Sequence, residues 1–189
     1  MSEPKPGLKT PLSLRECLSD LSDGMTREAF IAYHCEPVLV QAYRRVNAPA
    51  AVSCAQTIIG HLSASNLTLI DDIEVLPIGH HGTHSFAGSL ILAGRDPTLD
   101  IVINEKVVSR RHAKFAIEHD GTISIYDMSS DGTFVNGAPA WKEAKTTLEN
   151  RAVVTFSRGI DYTFFTPQGF YEELELRKGI IERQLRDAS

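Results

Sequence analysis

The chain has little of what would mark it as secreted, membrane-spanning or nucleic-acid-binding. Its three cysteines (Cys17, Cys35 and Cys54) are an odd number without metal-type spacing, which points to reduced thiols and not to a disulfide framework. No apolar run approaches the roughly 18 residues a membrane span needs, and the opening MSEPKPGLKT lacks the charged-then-apolar pattern of an export signal. A cytoplasmic protein with no membrane partner is expected. Lys and Arg number 19 against 24 Asp and Glu, a net charge of -5, so there is no overall positive field to draw in nucleic acid. The G-x-S-x-G, P-loop, Rossmann and kinase signatures are missing as well, so the expectation is a non-enzyme without a cofactor.

What remains is an ordinary globular composition, 42% hydrophobic and 23% charged, with enough chain for one sizeable core. Residues 1–11 carry three prolines and no periodicity and read as a flexible tail. Residues 12–36 read as a helical lead-in. Ser13 and Glu16 make the S-x-x-E capping pattern, Leu14, Cys17, Leu18 and Leu21 recur at helical spacing, and Gly24 can close the end. A second short helix is expected from Thr26, with Ala29, Phe30 and Tyr33 on one side.

From 37 to 168 the pattern changes to short β-branched or aromatic runs separated by turn residues, the spacing of an all-β sandwich. Strands are expected at Val38–Tyr43, Leu67–Leu76, Leu90–Ala93, Ile101–Ile103, Lys114–Glu118, Thr122–Tyr126, Thr133–Val135, Val153–Phe156 and Tyr162–Phe165. Asp120-Gly121 and Asn136-Gly137 predict two hairpin turns. The Ala- then Ser/Asn-rich stretch 47–66 reads as an insertion loop. A helix is expected over 169–189, with Phe170, Leu174, Ile181 and Leu185 on one stripe and Gly179 weakening it.

Charge is uneven within this frame. Residues 105–114 hold Lys106, Arg110, Arg111 and Lys114, four of the 19 basic residues, beside the hydroxyl of Ser109. Guanidinium forks, hydroxyls and backbone N–H groups on a rigid scaffold are what a phosphate group needs. A solvated basic loop is the plainer alternative. His80, His81 and His84 form an H-H-x-x-H run that could attract a transition metal, but the flanking glycines and the lack of fixed partner ligands favour an exposed turn, so no metal is expected. Cys35 beside His34 reads as packing. Trp141, the only tryptophan, is expected to pack beyond the Asn136-Gly137 hairpin.

The segments GRDPTLDIVIN, VSRRHAKF and SSDGTFVNG, in that order and spacing, with NRAVVTF and DYTFF after them, resemble the forkhead-associated (FHA) domain, as found in small bacterial single-FHA proteins. The resemblance implies a β-sandwich of about eleven strands with short helical extensions, whose loops at one end grip a phosphothreonine peptide. It implies a partner phosphorylated by a Ser/Thr kinase, and the kinase itself as a further partner. By the same resemblance Arg95, following Gly94, is the main phosphate-binding residue. Ser109, Arg110 and Ser130 surround the phosphate, and His112, Gly132, Thr133, Asn136 and Gly137 support the loops. Asp131 stands where the family usually carries Asn. A carboxylate there cannot donate and repels phosphate, which keeps open a phosphate-independent protein scaffold as the alternative. Thr10, in Lys9-Thr10-Pro11, is a candidate for phosphorylation in the tail.

Overall fold

The computed structural model describes residues 11–42, 73–79, 90–142 and 144–187. Thr10, the histidine run at 80, 81 and 84, the stretch 47–66, and the parts of two expected strands at 43 and 67–72 lie outside them. Twelve strands among the described residues form two sheets. The five-stranded sheet runs β10 (Thr146–Leu148), β7 (Ile123–Asp127), β6 (Ala113–Ile117), β4 (Leu90–Gly94), β5 (Ile101–Val102). The seven-stranded sheet runs β1 (Leu12–Ser13), β3 (Glu74–Pro77), β2 (Val38–Gln41), β12 (Ile160–Phe165), β11 (Val153–Phe156), β8 (Thr133–Val135), β9 (Ala138–Ala140). Among the described strands only β4 and β5 pair in parallel. Between the sheets lies a core that includes Leu39, Leu76, Ile91, Ile101, Phe115, Ile125, Val154, Phe156, Tyr162 and Phe164, all buried.

Side-chain alternation explains a second core on the outer face of the larger sheet. In β2, Leu39 points into the sandwich, whereas Val38 and Val40 point outward, as do Val75 of β3 and Phe165 of β12. This part of the sheet needs cover on both faces, which is why VLV reads as an unbroken apolar run. Three helices supply the outer cover: α1 (Leu14–Ser22), α2 (Arg27–Tyr33) and α3 (Pro167–Asp187). Leu14, Cys17 and Leu21, Phe30, and Phe170 and Leu174 join the outward-facing residues in one buried cluster. Burial, with Asp20 and Glu16 nearby, pushes the Cys17 thiol up to about 12, so it is an inert packing group.

The helix signals act as read. Ser13 and Glu16 form the reciprocal capping box, and Thr26 caps α2 by accepting from the Ala29 N–H. Helix α3 starts at Pro167, with the Thr166 hydroxyl accepting from the Gly169 N–H at 3.1 Å, and it runs unbroken through Gly179. Two details differ from the expectation. Only Phe30 of α2 is buried, while Ala29 and Tyr33 are exposed, because Phe30 alone enters the cluster with Phe170 and Leu174 of α3. Leu18 and Ile181 are only partly covered.

Most strand positions agree with the expected ones to within one or two residues. Asn136 (φ 51°) and Gly137 (φ 80°) supply the paired positive dihedrals of a type I′ turn. The Asn136 side chain also accepts from the Val153 N–H at 2.8 Å, tying the hairpin to β11. Strands β1, β9 and β10 have no counterpart in the expectation. All three lie at sheet edges, where Ala-Pro-Ala can serve as a strand because an edge needs fewer donors. Trp141, expected to pack, is 67% exposed, since the β9–β10 connection carries it past the last paired residue.

The ring of Phe30 is fully buried, 5.5 Å from Tyr171 and 4.3 Å from His34 between ring centroids. Phe30→Ala is expected to cost about 3–5 kcal/mol, read from the midpoint of urea unfolding. A loss below about 1 kcal/mol would mean that the helical layer contributes little to the folded state.

Candidate functional site: two hydroxyls and three arginines at one end of the sandwich

The loop connecting β5 to β6 and the loop connecting β7 to β8 meet at one end of the five-stranded sheet, and the chain leaving β4 runs alongside them. At Gly94 a side chain is forbidden: a Cβ there would collide with the carbonyl of Arg110. That close approach lets the Arg95 N–H donate to the Ser109 carbonyl at 3.0 Å and the Asp96 N–H to the Arg110 carbonyl at 3.1 Å. Arg95 is thereby fixed by its backbone. Its side chain is fixed as well, because Nε donates to the Val108 carbonyl at 3.2 Å. The remainder of the guanidinium belongs to an exposed residue.

His112 holds the two loops together. Its own N–H donates to Ala93 and its carbonyl accepts from Met128, at 2.8 Å each, so its backbone is part of the sheet. Its ring is wholly buried and meets Phe156 edge-on at 5.4 Å. Nδ1 accepts from the Ser109 N–H at 3.1 Å, which leaves the proton on Nε2 to donate to the Gly132 carbonyl at 3.3 Å. The hydrogen bonds thus assign the neutral Nε2–H tautomer. Burial lowers the ring's pKa in agreement, opposed by the Gly132 carbonyl and by the charges of Asp127 and Asp131.

The second loop is folded around the buried carboxylate of Asp127. Its Oδ1 accepts from the Ser129 N–H at 3.1 Å, the Ser129 hydroxyl at 2.6 Å and the Thr133 hydroxyl at 2.8 Å. Ser129 Oγ then accepts from the Gly132 N–H at 2.7 Å, closing a turn whose Gly132 has φ 92°. Ser129 is consumed by this network, so Ser130 is the one left facing outward. Its hydroxyl lies 3.5 Å from that of Ser109, and its N–H points at Ser109 Oγ at 3.4 Å.

Ser109, Ser130, Arg110, Arg111, Asp96 and Met128 line a polar cleft here. Of the eleven residues singled out from the sequence, Arg95, Ser109, Arg110, Ser130 and Asp131 carry side chains at or beside this end. Gly94, His112, Gly132 and Thr133 hold the loops in shape, and Asn136 and Gly137 sit in the next hairpin. Asp131 is exposed in the turn. Sequence reasoning did not single out Asp96, Met128 or Ser129. Asp-Pro-Thr was a readable cue for the first, since Asp96 Oδ1 accepts from the Thr98 N–H and hydroxyl at 3.0 and 2.7 Å. Those bonds, aided by the charges of Arg111 and Arg110, hold its carboxyl below the usual range.

Residues 91–157, from the second residue of β4 to just past β11, match the family model of the FHA domain. The oxoglutarate dehydrogenase inhibitor of Corynebacterium diphtheriae is 46% identical over 48 residues, which are 25% of this chain and 33% of that protein. The glycogen accumulation regulator GarA of Mycolicibacterium smegmatis is also 46% identical over 48 residues, 25% of this chain and 30% of its own length. The chain thus spans about a third of the curated relatives it matches. Among solved structures, the FHA domain of a Chlamydia trachomatis protein is 31% identical, with 43% of this chain and 81% of that one covered and a TM-score of 0.37.

The lowered pKa of His112 has a consequence for stability. The unfolded imidazole titrates near 6.5, so below that pH the unfolded chain binds a proton that the folded ring resists. The stabilisation is present above about pH 6.5 and is lost as pH falls toward the folded value. His34, lowered by burial against the pull of Asp20, acts in the same direction. Melting temperature is therefore expected to fall between pH 7.5 and 5, and less steeply in His112→Gln. A ring resonance of His112 titrating at or above 6.5 would contradict the assignment.

Proposed function

From the premise that residues 91–157 form an FHA domain, we propose that this chain binds phosphothreonine-containing peptides, and that Arg95 and Ser109 hold the phosphate. The observation that carries the reading is the pair of hydroxyls on Ser109 and Ser130, 3.5 Å apart, with Arg95 tied through Nε to the carbonyl of Val108, the residue before Ser109. A phosphate dianion accepts only, and the site would offer it donors in two hydroxyls, the free end of Arg95 and the fork of Arg110, with Asp96 the one carboxylate in the lining of the cleft. The free γ-methyl of a threonine would find its apolar surroundings in the aliphatic stems of the arginines and in Met128.

Recognition of this kind needs no turnover. An FHA domain is a binding module, and the curated relatives are named an inhibitor and a regulator. Partners would be proteins phosphorylated by a Ser/Thr kinase. Residues 12–36 and 169–189 act as supports of the 37–168 sandwich in this reading, since their apolar faces are spent on the second core. Asp131 favours one alternative, a scaffold that binds protein without phosphate, because its negative charge lies next to the proposed phosphate position.

Calorimetry with a phosphothreonine peptide library and its unphosphorylated copy separates the two readings. Arg95→Ala is expected to cost about 2–5 kcal/mol of phosphopeptide binding, the loss of one partner of a desolvated charge pair. Equal affinity for phosphorylated and unphosphorylated peptides would sink the phosphate reading. Asp131→Asn is expected to tighten phosphopeptide binding by about 1 kcal/mol, roughly fivefold, by adding a donor and removing a like charge. No gain at low salt would place Asp131 away from the ligand.

A further inference from the structure

The connection between β11 and β12 contains a strained residue that the turn itself does not require. Ser157, Arg158 and Gly159 join the paired Phe156 and Ile160. A three-residue hairpin loop calls for the left-handed region at its last position, and Gly159 fills it with φ 82°. Ser157 has a positive φ as well, 53°, where a glycine would sit without penalty. Strain of this kind persists only where the surroundings over-determine it. Here they do, because buried Ser157 donates from Oγ to the Val107 carbonyl at 2.6 Å and from its N–H to the Gly132 carbonyl at 3.0 Å. One residue thus holds both loops of the candidate site.

The bond to Val107 bears on Arg95 through consecutive peptide planes. The plane between Val107 and Val108 is held at both ends: its carbonyl accepts from Ser157 Oγ, and its N–H donates to the Glu105 carbonyl at 3.0 Å. The next plane presents the Val108 carbonyl to Arg95 Nε at 3.2 Å and the Ser109 N–H to His112. The side chain of Val107 is 50% exposed, so its own packing does not fix the first plane. Resting on the phosphothreonine reading, we propose that Ser157 is a positioning residue for the phosphate site, its hydroxyl fixing the peptide plane that leads to the anchor of the Arg95 guanidinium.

The test uses the full chain and a fluorescent phosphothreonine peptide with its unphosphorylated copy, read by anisotropy. Ser157→Gly removes the hydroxyl and relaxes the backbone, whereas Ser157→Ala removes the hydroxyl and keeps the strain. The glycine variant is therefore expected to melt higher than the alanine variant. Both are expected to bind the phosphopeptide about five- to tenfold more weakly than wild type, the scale of leaving one long side chain to be ordered on binding. In Arg95→Lys, which has a methylene where arginine has Nε, neither change at 157 is expected to weaken binding further. By NMR without ligand, the Arg95 Nε–H is expected to exchange about tenfold faster in Ser157→Gly than in wild type. Unchanged phosphopeptide affinity in Ser157→Gly would overturn the inference and leave the phosphothreonine reading intact. An equal loss in the Arg95→Lys background would do the same, since Ser157 would then support the fold at large. If wild type bound both peptides alike, the phosphothreonine reading would fall, and the exchange of the Arg95 Nε–H would decide the role of Ser157 separately: equal rates in wild type and Ser157→Gly would overturn it.

Discussion

One buried imidazole determines whether the end of this sandwich is a site or merely two loops. The ring of His112 accepts from the Ser109 N–H on one side and donates to the Gly132 carbonyl on the other. It therefore fixes loops that are 20 residues apart in sequence against each other. The tautomer matters: only a ring with Nδ1 bare and Nε2 protonated can make both bonds, and a cation could make only one of them. Burial against Phe156 supplies the low-dielectric setting that keeps the ring neutral. With that brace in place, the hydroxyls of Ser109 and Ser130 come together as a result of backbone position, without needing a bond of their own to draw them.

The Asp127 network does for the turn what the brace does for the loops. A buried carboxylate is costly unless its lone pairs are filled; here Oδ1 alone takes three donors, two from Ser129 and one from Thr133. The consequence is a division of labour between adjacent serines. Ser129 turns inward to complete the turn, and Ser130 is released to the surface. Nothing in the pair Ser-Ser announces which of them does which. The family resemblance assigned the outward role to Ser130, and the hydrogen bonds give the physical reason.

Legibility in the sequence followed the same physics. Strands with alternating β-branched or aromatic residues, such as Val153–Phe156, could be read because each has one face in the core. Hairpins at Asp120-Gly121 and Asn136-Gly137 could be read because positive φ restricts the residues allowed. Edge strands could not: Ala138–Ala140 has neither pattern nor propensity, and pairing with β8 alone makes it a strand. The exposure of Trp141 was equally hidden, since a single large apolar residue says nothing about whether a neighbour exists to cover it. At the site, the basic cluster and the glycine at 94 were visible as composition, but the burial of His112 and the capture of Ser129 depend on long-range packing that local pattern does not contain.

The arrangement also bears on how an acidic protein would bind an anion at the proposed site. Long-range attraction is weak with a net charge of -5, so affinity has to come from short-range donors whose ordering is complete before the ligand arrives. Arg95 is tied at Nε to Val108, Ser109 is held through its N–H by His112, and the N–H of Ser130 already points toward the Ser109 hydroxyl. For the long Arg95 side chain, ordering in advance saves about 0.5–1.5 kcal/mol that binding would otherwise spend on fixing it. The arginines beyond Arg95 lack such ties among the described residues. Ordering Arg110 and Arg111 would therefore be part of the cost of binding.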